Sequence, residues 1–257
     1  TGYFSVIAIY DSDYPNKSPT TEKIEIGKST LGLSIVLFLW VWSACKQKTL
    51  ADLANAFVEV DNSLMKFKPI RRSQTTGSIF ICLFSVNLFI WICLVASDVC
   101  AFKVTVLAYI SINMPNFMFS WFLLLYAFNV ITLRMKFQRI SQEISRLLLE
   151  SLSMTVEVTR STHDQQMIND VSKIKNVHVR LHRIMDGISE FYSFPIFMVI
   201  GELCGSIVYS SYYLALPFVV VSVPLGSLQL FNSFCYLSME SFSLVVLTIN
   251  IEGIRSE

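Results

Sequence analysis

Uncharged stretches long enough to cross a membrane divide this chain. Seventeen residues separate Lys28 from Lys46, 25 separate Arg72 from Asp98 and 30 separate Lys103 from Arg134, none of them charged. From Phe191 to Met239 only Glu202 carries a charge. A helix spanning the hydrocarbon core needs about 20 predominantly apolar residues. The expected fold class is therefore all-α, a polytopic transmembrane helical bundle. Composition agrees: 53% of residues are hydrophobic and 15% charged, and the mean hydropathy is +0.55. The net charge of +1 gives no basic surface for nucleic acid.

The first full span is placed at about 29–45, the second at 76–97 and the third at 104–133. The run after Glu190 is too long for one span and suits two, at about 190–209 and 214–236. The cluster Tyr209-Ser210-Ser211-Tyr212-Tyr213 is the best place for the turn between them, because Tyr favours the membrane–water boundary. Pro217 and Pro224 then fall inside the fifth span and should kink it. Residue 1 is Thr, and Gly2 to Tyr10 reads as the last turns of an earlier span. On this reading the chain is incomplete at its N-terminal end.

Lys and Arg assign the sides. The segment from Lys46 to Arg72 holds six of them and that from Arg134 to Gly187 holds nine, whereas Lys103 stands alone between the second and third spans. Cytoplasmic loops collect basic residues, so the two rich segments are expected inside. Asn16-Lys17-Ser18, a candidate glycosylation sequon, then falls outside. Cys45, Cys82, Cys93, Cys204 and Cys235 lie in or beside spans, which suits small buried apolar residues better than a disulfide framework.

The third span is expected to continue as an amphipathic helix into a cytoplasmic helical region at 134–187. Phe137, Ile140, Ile144, Leu147 and Leu148 share one face, with Lys136, Arg139, Glu143 and Arg146 on the other. The Ser/Thr-rich stretch Ser151–Asp164 is the expected break. Ile168, Val171, Ile174, Val177, Leu181, Ile184 and Ile188 then mark a second stripe running into the fourth span. His178 and His182 have a spacing that can hold a metal, but they lack a third ligand and Arg180 stands between them. They read as a basic helix face. The sequence indicates no metal, no cofactor and no catalytic residues: neither a phosphate-binding Gly-rich loop nor a nucleophile elbow is present.

Polar groups inside spans are costly and mark either a cavity or a helix–helix bond. Tyr109, Asn113 and Phe117 share one face of the third span, with Pro115 between them. Asn87 and Trp91 share a face of the second, and Glu202 lies within the fourth. With Tyr209 they form a mixed aromatic and polar set of the kind that lines small-molecule pockets. Ordinary packing with polar glue is the competing account. Asn113 and Asn116 are also placed to satisfy backbone freed by Pro115.

Three features resemble the insect gustatory receptors. One is the first cytoplasmic segment, Leu50-Ala51-Asp52-Leu53 through Val60-Asp61-Asn62-Ser63-Leu64. The others are the third span running into Phe137-Gln138-Arg139-Ile140-Ser141, and Leu181-His182-Arg183-Ile184 feeding the next span. The resemblance implies a seven-span ligand-gated cation channel in the plasma membrane, opened by a small extracellular tastant. It also implies a homo- or hetero-tetramer with other receptor subunits. Residues 1–257 would then be a single transmembrane receptor domain, incomplete at both ends, since the family's seventh-span motif is not in this sequence. Tyr109, Asn113, Phe117, Asn87, Trp91, Glu202 and Tyr209 become the candidate ligand contacts. The insect odorant receptors share the same superfamily. The other reading is a G-protein-coupled receptor fragment covering third to seventh spans. Asn232-Ser233-Phe234-Cys235-Tyr236 and Phe194-Pro195 partly match motifs of that class, but no acidic-Arg-Tyr triplet follows the first span. A transporter would show Gly-broken repeated halves, which are not visible here.

The topology is directly testable. A cysteine placed at Lys68 should resist a membrane-impermeant thiol reagent in intact cells and react once the cells are permeabilised. Labelling of intact cells would reverse the sidedness.

Overall fold

The computed structural model describes residues 19–65, 74–102, 106–153, 160–219 and 226–255. They form six helices and, among the described residues, no strand: α1 Pro19–Cys45, α2 Gln47–Met65, α3 Gln74–Phe102, α4 Val106–Ser153, α5 Arg160–Val219 and α6 Ser227–Arg255. Pro19 opens α1, a position where its missing N–H costs nothing. Gly226 caps α6: Gln229 returns its side-chain oxygen to the Gly226 N–H at 3.1 Å, while the Gln229 N–H donates to the Gly226 carbonyl at 3.0 Å. This is the N-terminal half of a capping box, with Gly in place of Ser or Thr.

Five stretches are long and apolar enough to cross a membrane: Lys23–Cys45, Gly77–Ala101, Asn113–Leu149, Met167–Ala215 and Ser227–Ile251. In α3 the mean hydropathy reaches 2.7, yet only 11% of that stretch is buried within the protein. Ile81, Phe89 and Ile92 on this helix, like Phe197 and Val208 on α5, face outward. So much exposed apolar surface needs hydrocarbon as its solvent. The chain is an all-α membrane protein.

The structure moves the turn expected at Tyr209–Tyr213. Those residues are helical, α5 continues to Val219 with Pro217 in its last turn, and α6 starts at Ser227 rather than near 214. The reason is a tertiary contact. Tyr209 donates to Glu25 Oε1 at 2.9 Å, and its hydroxyl lies 3.1 Å from that of Tyr213, so these hydroxyls have protein partners and do not need interfacial water. Pro224 and Asn16 lie outside the described residues. The expected break near Ser151–Asp164 falls where α4 ends at Ser153 and α5 begins at Arg160. The basic segment after the first span, read as a loop, contains α2.

The chain divides into two compact units. The first comprises Thr1–Cys45, Gly77–Ala127 and Phe194–Glu257. Its core joins Ile35 and Leu39 of α1, Phe119, Leu123, Leu124 and Ala127 of α4, Val199 and Leu203 of α5, and Val246 and Leu247 of α6. Gly32 allows α1 to approach α4 closely, because a Cβ there would stand 3.3 Å from the Pro115 Cβ. Lipid supplies no hydrophobic drive between helices, so such close backbone approach is a main source of association.

The second unit comprises Lys46–Thr76 and Phe128–Ser193. Val60 and Leu64 of α2, Leu133 and Ile140 of α4, and Ile174, Val177, Leu181, Ile184 and Ile188 of α5 are buried in it. Gly187 meets α2 so closely that a Cβ would come within 2.8 Å of Leu53 Cδ2. The stripe expected on α5 is thus buried from Ile174 onward, while Ile168 and Val171 are exposed. On α4 the expected faces are rearranged. Lys136, Ile140 and Glu143 turn inward, and Ile144 and Leu148 outward. Two contacts to α2 hold this face inward: Lys136 bonds Asp61 and Arg139 donates to the Leu64 carbonyl at 3.2 Å, while Arg146 pairs with Glu143 within α4 at 3.2 Å. His178 and His182 stack edge-on at 4.6 Å and flank Phe137.

Gly32→Val should force α1 from α4 and lower stability by about 1–3 kcal/mol. Thermal unfolding of the detergent-purified protein reads this; an unchanged midpoint would show that the approach at Pro115 carries no stability.

Candidate functional site

Four side chains on α3, spaced four, three and four residues apart, form one face: Asn87, Trp91, Leu94 and Asp98. Facing them in the first unit are Asn113, Phe117 and Ser120 of α4, and Asn232, Tyr236 and Met239 of α6. Each contact follows from the helical period, which returns a side chain to the same face every three or four residues.

Asp98 closes one end of this seam and is fully buried. Asn113 Nδ2 donates to its Oδ2 at 3.2 Å, and Asn232 Nδ2 donates to its Oδ1. The Tyr236 hydroxyl lies 3.2 Å from Asp98 Oδ2 and 2.6 Å from Asn113 Oδ1, so its proton is shared between them. The second amide proton of Asn232 reaches Ser97 Oγ at 2.9 Å. A carboxylate buried among helices is tolerable only with this density of donors. Asn113 is thus engaged with both α3 and α6.

One to two turns along, the Trp91 and Phe117 rings pack at 5.0 Å. Ser120 Oγ donates to Asn87 Oδ1 at 2.7 Å. Leu94, Cys235 and Met239 form a small apolar core beside them, with Ile90, Trp91 and Tyr236 packed against it. The seam thus runs from a charged, fully bonded end at Asp98 to an aromatic and amide end at Trp91 and Asn87.

A second polar cluster lies elsewhere in the same unit. Glu240 of α6 is fully buried; Lys28 Nζ stands 3.4 Å from its Oε1, and Ser206 and Ser210 of α5 donate to its two oxygens, Ser210 at 2.8 Å. Lys28 also lies over the Tyr209 ring at 5.3 Å. Glu202 is buried within electrostatic range of Lys28 and Glu240.

Of the residues singled out from sequence, Asn87, Trp91, Asn113 and Phe117 come together along the seam, and Glu202 and Tyr209 fall in the second cluster. Tyr109 is on α4, but its side chain lies outside the described residues. Asp98, Asn232, Tyr236, Lys28 and Glu240 were missed. The signal for Asp98 was present: it continues the spacing from Asn87, yet a carboxylate reads as the end of a span. No group of three or more His, Cys, Asp or Glu side chains able to hold a metal occurs among the described residues.

Asp98→Ala should leave the Asn113 and Asn232 donors unpaired in a dry interior and lower stability by about 3 kcal/mol, each orphaned donor costing about 1–3 kcal/mol. Asp98→Asn, which keeps an acceptor, should cost less. Equal midpoints for wild type and Asp98→Ala in thermal denaturation would show that the seam is not held through this carboxylate.

Five membrane-length helices, a buried seam lined by aromatic and amide side chains, and charged groups neutralised inside the bundle describe a receptor-like membrane protein. No curated protein matches the chain. The family model described as 7tm Chemosensory receptor matches residues 2–257. With the match running over nearly every residue, the chain belongs to the 7tm chemosensory receptor family.

Proposed function

We propose that this chemosensory receptor acts as a taste-receptor subunit: a plasma-membrane, ligand-gated cation channel that responds to a small extracellular tastant. The observation that carries the reading is the seam itself. Three helices meet over Trp91, Phe117 and Asn87, where aromatic faces supply contact area and an amide supplies direction. A ligand lodged between α3, α4 and α6 favours whichever helix arrangement contacts it best, and so shifts a closed–open equilibrium. Asn113, held by Asp98 and Tyr236, positions this lining rather than serving as its first contact. Glu202 and Tyr209 contribute through the second cluster.

Assembly as a homo- or hetero-tetramer is part of the same proposal. Ile144, Leu148, Ile168 and Val171 of the second unit are exposed, and an apolar surface outside the bilayer is supported best by burial against other subunits.

The test is electrophysiological. In cells expressing the receptor and screened for an agonist, Phe117→Ala and Glu202→Gln should each move the concentration–response curve about tenfold, equivalent to about 1.4 kcal/mol, with surface expression unchanged. Unmoved curves in both variants would put the pocket elsewhere.

A further inference from the structure

Asn87 Nδ2 and Trp91 Nε1 are buried donors without a hydrogen-bond partner among the described residues, and they sit one turn apart on the same face of α3. Asn87 is 1% exposed. Its carbonyl oxygen is occupied by Ser120, which turns the amide nitrogen away from α4's hydroxyl. On α6, Ser243 is fully buried and its Oγ also lacks a partner. Ser243 is eleven residues, about three helical turns, after Asn232 and so shares the α6 face that bonds Asp98. Asn87 and Trp91 thus put two unsatisfied donors in one layer of the seam, each left unpaired at a cost of about 1–3 kcal/mol.

We infer that this layer is a binding subsite for a neutral molecule that presents a hydrogen-bond acceptor, such as a carbonyl or ether oxygen, to Asn87 Nδ2 and Trp91 Nε1. The inference rests on the pocket reading above and names its ligand class. The indole N–H donates only, so its partner must accept. An ammonium has no lone pair to offer. A carboxylate is disfavoured because the Asp98 carboxyl already gathers the donors at the other end of the seam. The body of the ligand is apolar, because Phe117, Leu94 and Met239 surround the layer.

The test uses the full chain in lipid nanodiscs, with its four tryptophans labelled with nitrogen-15 at the indole. Trp91→Phe, which keeps an aromatic ring, assigns the Trp91 signal. Acetone is the probe and isobutene, its oxygen-free counterpart, the control. Acetone should move the Trp91 indole N–H resonance saturably and leave Trp40, Trp42 and Trp121 in place, while isobutene should not reproduce the shift. Asn87→Leu should weaken acetone binding about tenfold. No acetone response, the outcome if ordered water alone fills the layer, would overturn the subsite. So would equal responses to acetone and isobutene, or a uniform drift of all four signals. The receptor assay separates the two readings. A Phe117→Ala shift in agonist response with a silent acetone titration retains the pocket and removes the acceptor subsite. Saturable acetone binding with unmoved agonist curves retains the subsite and removes the taste-receptor assignment.

Discussion

Hydrocarbon offers no hydrogen bonds, and the polar interior of the first unit is organised around that fact. Asp98 and Glu240 are both fully buried, and each is surrounded by donors from neighbouring helices. In water such groups would be solvated singly and would say nothing about which helix packs on which. In lipid each must find its partner on another span, so a handful of side chains dictates helix order and register. Apolar contacts alone would leave that register loosely specified, because one lipid-facing Leu or Phe packs much like another. The seam along α3, α4 and α6 is therefore a registration device first, and its aromatic end becomes usable as a site because the Asp98 end is pinned.

The second unit follows different chemistry. Its helices carry the basic residues that the sequence assigns to the cytoplasmic side. There Lys136 with Asp61, Arg180 with Glu59 and Lys46 with Glu190 join sequence-distant parts of the same unit. Pairs at such exposed or half-exposed positions contribute little energy individually. Lys136, the one of these residues on α4, lies inward with its Asp61 partner on α2, while Ile144 and Leu148 lie outward. An amphipathic stripe does not fix which face is buried when the neighbouring helix brings carboxylates of its own.

Helical class and the number of membrane-length stretches were legible in the sequence because the uncharged runs are long and the alternatives few. The turn after α5 was not. Tyrosines near a span end usually meet water, and only the contact of Tyr209 with Glu25, 184 residues away, keeps the helix going. For the site, the face containing Asn87, Trp91, Asn113 and Phe117 could be read from spacing. Its anchors Asn232 and Tyr236 could not, since they become neighbours of Asp98 only through tertiary packing. Asn113 shows the limit most clearly. Sequence placed it beside Pro115 and among the candidate ligand contacts, and its bond to a carboxylate fifteen residues away forms only in the packed helices.

The ion pair between Lys28 and Glu240 joins residues 212 positions apart. α1 leaves the ribosome long before α6 exists. At synthesis rates of about 5–20 residues per second, Lys28 waits roughly 10–40 s for its carboxylate. Through that interval Lys28, at the edge of its uncharged run, keeps its ammonium among water and headgroups. Its carboxylate partner comes only when α6 arrives. Maturation of this bundle thus has a late step, in which a lysine of α1 exchanges hydration for a carboxylate made 212 residues later.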